Sequence, residues 1–144
     1  MNDSLYDRDL YAWANEQAAL LRAGQLGQAD IANIAEEIES MGRSETRELV
    51  NQLAVLLTHL LKWQYQPAVR GNSWRLTIRG QRVRLSRHLA HNPSLKSKID
   101  EAVLQAWEIA LIETQRETGL EEKSFPTFCP YPVAQAMNHD FWPE

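Results

Sequence analysis

The chain has 144 residues, 44% hydrophobic and 24% charged, and a net charge of −4; that is ordinary globular composition, enough for one core without disulfide or metal support, and it excludes a disordered or collagen-like chain. Cys129 is the sole cysteine, so no internal disulfide forms; the acidic, polar N-terminus lacks the pattern of a signal peptide, and no apolar run is long enough to span a bilayer. The expectation is one soluble helical domain, residues 1–144, in the reducing cytoplasm.

Leu5 to about Ala23 reads as a first helix, because Leu10, Trp13, Ala14, Gln17, Leu20 and Leu21 recur at helical spacing and Gly24 follows as a stop. Asp30 is placed to cap a second helix with Ile31, Ile34, Ile38 and Met41 on its apolar line. Gly42 invites a break there, but alternating steps of four and three carry the same phase on through Glu45, Leu49, Leu53, Leu56, Leu60 and Trp63. The spacing therefore predicts one long helix from about Asp30 to Gln66, ended by Pro67.

After a loop over Ala68 to Asn72, Ser73 is expected to cap a helix running to about Ala90. Its main apolar line is Trp74, Ile78, Leu85 and Leu89; Leu76 and Val83 lie on another side, which predicts burial on two faces. Asn92 and Pro93 interrupt the chain, Ser94 begins a fourth helix, and Gly119 closes it. The segment from Phe125 to Pro132 holds too much proline for regular structure and reads as an aromatic wrap, with a short helix near Pro132 to Met137. No segment alternates like a strand, so the fold class is all-α: a compact bundle of four to five helices with one long member and an irregular C-terminal wrap.

Charge is segregated along this framework. Between Glu48 and Asp100 lie nine basic residues and no acidic one, whereas the flanks hold six basic against nineteen acidic. Arg75, Arg79 and Arg82 form a line on the helix after Ser73, and an antiparallel return would bring it level with His59 on the long helix. With Glu37 on the same polar track, the candidate cluster is Glu37, His59, Arg75, Arg79 and Arg82, either an internal charge network or a site. No cofactor motif is present, and His88 with His91 lacks the Glu-x-x-His spacing of bundle metal centres, so neither cofactor nor metal is predicted. Cys129, set between Phe128 and Pro130, reads as a small buried hydrophobe and not as a nucleophile.

Several ordered motifs carry a family resemblance: Tyr6-Asp7, Tyr11-Ala12-Trp13, the run from Ile34 to Gly42, the run from His59 to Pro67, Ser73-Trp74, Gln81-Arg82, Pro93-Ser94-Leu95 and Cys129-Pro130-Tyr131. Together they resemble the family known as domain of unknown function 29, along essentially the whole chain. The resemblance implies a small, mostly bacterial helical protein, and it transfers no catalytic residue. Glu36, Glu37, His59, Trp63, Trp74 and Arg82 fall within its motifs.

Three functional readings follow. The preferred one is a protein interaction or assembly module, with a protein partner or a second copy on apolar surface that five Trp help supply. The second is a nucleic-acid or anionic-ligand binder using the basic helix 73–90. The third is an enzyme or metal protein using the Glu, His and Arg cluster. A membrane partner is not expected.

Overall fold

The computed structural model describes residues 4–144, whose regular structure is entirely helical. Six α-helices occur among them, α1 (Leu5–Arg8), α2 (Leu10–Arg22), α3 (Ile31–Tyr65), α4 (Asn72–His91), α5 (Ile99–Thr118) and α6 (Val133–Ala136), joined by short 3₁₀ turns. The all-α class and the long helix are thus as the sequence predicts. The chain divides into two units, Met1–Ser44 and Glu45–Glu144.

In the first unit the expected opening helix is split at Asp9. Its carboxylate accepts the Ala12 N–H at 3.0 Å, which satisfies an orphan donor of α2 and draws the Asp9 backbone out of the helical region (φ −155°, ψ 88°). Local capping here overrides an apolar period that would otherwise run through. Gly24 then takes the left-handed conformation, φ 73°, expected of a helix stop. Asp30 ties the unit together: its backbone N–H donates to Gln17 Oε1 at 2.7 Å, its carboxylate accepts from Trp13 Nε1 at 3.1 Å, and it caps α3 by accepting the Asn33 N–H. Trp13 and Gln17 are buried, whereas Ile31, Ile38 and Met41 on the predicted apolar line are exposed.

Helix α3 is continuous through Gly42, as the unbroken phase predicts. Burial begins at Leu49 and recurs at Leu53, Leu56, Leu57, Leu60 and Leu61, each of which contributes about 2 kcal/mol of transfer free energy. These leucines meet Ile78, Leu85 and Leu89 of α4 and Ala102, Ala106, Trp107 and Ala110 of α5 in the core of the second unit. Helices α3 and α4 are antiparallel there: Lys62 Nζ lies over the Trp74 ring, 4.8 Å from its centroid, while His88 Nε2 lies 3.1 Å from Glu45 Oε2 at the other end.

Two boundaries differ from expectation. Gly71 precedes α4 with no side-chain cap, so Ser73 lies inside the first turn. Pro93–Lys98 forms a 3₁₀ turn, and α5 begins at Ile99, later than Ser94. Gly119 does end α5, in the left-handed region at φ 76°.

The C-terminal segment is an aromatic wrap held by side-chain contacts to the helices. Trp107 Nε1 donates to the Thr127 carbonyl at 3.0 Å, and Tyr131 Oη donates to Gln64 Oε1. Trp142 packs on Trp63 with ring centroids 4.7 Å apart, and Phe125 meets Tyr65 edge-on at 5.0 Å.

Candidate functional site

Arginine faces on α4 follow from its helical pitch. Arg82 falls on the same side as Ile78, Leu85 and Leu89, and it is fully buried at 0% exposure. A buried guanidinium requires acceptors, and it finds them in the wrap: Nε donates to the Ala136 carbonyl and Nη2 to the Phe141 carbonyl, both at 2.7 Å. Nη1 has no hydrogen-bond partner, and the Trp142 ring, 5.3 Å from the guanidinium carbon, offsets part of that deficit. Burial alone lowers the Arg82 pKa from its ordinary value. Arg82 is therefore a structural clamp on the C-terminal segment.

The other predicted cluster residues lie elsewhere. Arg75 Nη2 donates to Asn72 Oδ1 one turn back, and Arg79 is exposed. His59 Nδ1 lies 2.9 Å from the Val55 carbonyl, and its ring lines a groove of about 270 Å³ with Asn51, Val55, Ile109, Glu113 and Glu117, on the α5 side of α3. Its pKa is pushed below the usual imidazole range, mainly by burial and further by Lys62. The second unit thus does not assemble His59 with the three arginines. Glu37 belongs to the first unit, where it accepts from Tyr6 Oη and raises that phenol's pKa to about 12.

A polar notch missed in the sequence lies between α3 and the last turn of α4. His88, with a side chain only 6% exposed, sits against Glu45 without a well-aligned hydrogen bond, and Asn92 Nδ2 donates to the His88 carbonyl at 3.1 Å. The 43-residue separation of Glu45 and His88 in the chain left no local signal. Among the described residues no three His, Cys, Asp or Glu side chains are grouped to hold a metal ion. Burial raises the Cys129 pKa, which disfavours the nucleophilic thiolate.

The outer face of α4 is different in kind. Leu76 is 49% exposed and Val83 41%, so the burial expected of this second apolar face is not met, and the face stays half open. Leu76, Gly80, Val83, Arg87 and Ala90 follow steps of four, three, four and three, which lays them in one stripe opposite the core. Arg79 and Arg84 flank it, and among the described residues neither forms an ion pair, nor does Arg87. A Cβ on Gly80 would meet nothing within 4 Å, so the helix backbone is open to close approach. Beside the stripe runs a shallow groove of about 400 Å³ lined by Leu76, Thr77, Gly80, Gln81 and Arg84, and Gln81 Oε1 is buried there without a hydrogen-bond partner. Such an orphaned acceptor costs stability unless a donor reaches it.

No helix of the described residues is long and apolar enough to cross a membrane. No curated protein and no solved structure matches the chain. A family model matches over residues 5–142, which confirms the resemblance carried by the sequence motifs, and the chain belongs to the family described as domain of unknown function DUF29.

Proposed function

We propose that this chain is a protein-interaction module whose α4 docks an acidic amphipathic helix along the stripe from Leu76 to Ala90. The observation that carries the reading is the apolar stripe itself, half-exposed at Leu76 and Val83, in the register of a helix-packing seam and bordered by arginines with no acidic residue on the helix. Apolar residues at the centre supply affinity, and a rim of one sign selects a partner of the other. A nucleic-acid surface would place its arginines along the centre of contact, whereas here apolar residues occupy most of that line. With Cys129 as its sole cysteine the chain needs no internal disulfide, which suits a reducing cytoplasmic setting.

Photo-crosslinking amino acids placed at Leu76 and Val83 in cells test the reading, with Ser86 on the adjoining side of α4 as control. The expected outcome is one protein adduct shared by both positions and absent at Ser86, mapping to an acidic helical segment. Adducts that disappear on nuclease treatment favour the nucleic-acid reading instead, and no adduct at either position removes the interaction reading.

A further inference from the structure

We propose that the acidic partner of α4 is the N-terminal unit of a second copy of this chain. The inference rests on the reading of α4 as a docking helix and names its occupant. The first unit has the complementary features. Ile31, Ala35, Ile38 and Gly42 follow the same four, three, four spacing as Leu76, Gly80, Val83 and Arg87. Ile38 is 62% exposed and neighbouring Met41 68%, so this seam too offers apolar surface to a partner.

Charge then selects the pairing. Residues 1–44 carry eight acidic side chains against three basic, whereas α4 carries five arginines and no acid. Two α4 seams placed together would oppose Arg79, Arg84 and Arg87 to their own copies, and two N-terminal units would likewise oppose like charge. The unlike pair brings apolar stripe to apolar stripe and sets the arginines of α4 against a unit of net negative charge, in which Glu36 and Glu39 already share Arg43. Such a contact joins different patches of the two copies, so it is heterologous.

The test uses the full chain in sedimentation and light scattering at low salt. One variant carries Arg79→Glu and Arg87→Glu, and a second carries Ile38→Ser and Met41→Ser; all four positions are on exposed faces, and circular dichroism checks the helix content. The wild type is expected to self-associate with a Kd of about 10 μM or tighter, and each variant alone to lose at least about tenfold in affinity. Mixed in equal amounts the two variants are expected to re-associate, because each retains the patch the other lacks. Should the arginine variant lose helix content, Leu76→Ser with Val83→Ser replaces it.

A wild type that stays monomeric at all salt concentrations overturns the proposal, as does a mixture that fails to associate. Undiminished self-association of the Ile38→Ser, Met41→Ser variant also overturns it, because the contact would then be between like faces. The crosslinking separates this failure from that of the broader reading: an adduct with a different protein retains α4 as a docking helix and removes the second copy as its occupant.

Discussion

Arg82 Nε donates to the Ala136 carbonyl oxygen at 2.7 Å, a bond between residues 54 positions apart that fastens the C-terminal wrap to the inner face of α4. A second bond from the same guanidinium to the Phe141 carbonyl completes the clamp. Removing the side chain deletes two charge-assisted bonds and strands two acceptors. Arg82→Ala is expected to destabilise the chain by at least about 3 kcal/mol. Arg82→Lys is expected to recover only part, since an ammonium lacks the planar fork that serves both carbonyls. Urea denaturation gives the magnitude, and limited proteolysis is expected to cut residues 120–144 faster in both variants.

Gly119 ends α5 at φ 76°, where an L side chain clashes with the following carbonyl. Gly119→Ala is therefore expected to cost about 1–2 kcal/mol in the same denaturation experiment, even though its Cβ would meet nothing within 4 Å. An unchanged midpoint would show that the turn rearranges freely.

Acid should weaken the fold in two stages. Burial holds the His59 pKa below its ordinary 6.5, so in the window between the folded and unfolded values the unfolded chain binds the proton more readily. The His59 contribution is present in full above that window and falls as pH drops through it. His59→Gln is expected to flatten the change in urea midpoint between about pH 7.5 and about pH 5.5. At lower pH Asp30 acts: hydrogen bonds from Asn33 and then Trp13 lower its pKa, so its contribution is present above the usual carboxylate range and lost as pH falls through the folded value. Trp13→Phe removes one of those bonds and is expected to shift this second loss to higher pH.

The helices were legible because α3 keeps one apolar phase across Gly42 and because Pro67, Pro93 and Gly119 punctuate the chain where local sterics demand it. Asp9 was not, since a single cap bond splits a segment whose periodicity continues through the split. Arg75, Arg79 and Arg82 form one line on a helical projection. Its separation into a buried clamp and exposed members depends on backbone carbonyls of Ala136 and Phe141, which any residue supplies and no pattern of side chains announces. The role of Arg82 is therefore one of packing. Leu76 and Val83 do lie off the main apolar line, but the burial expected of them fails, because a sequence does not say whether a second apolar face is covered by its own chain.

Gly80 gives the docking account its most direct test, because the two effects of a methyl there have opposite signs. In the isolated chain Gly80→Ala fills open space within a helix and is expected to stabilise by about 1 kcal/mol. In the complex the same methyl holds the partner helix off the α4 backbone. The measurement is the dissociation constant of the associated species for Gly80→Ala against wild type, by sedimentation of the purified chain or by calorimetry with the crosslinked partner. The account predicts a more stable chain that binds at least about tenfold more weakly. A more stable chain with unchanged affinity would contradict it and remove the stripe from Leu76 to Ala90 from the interface.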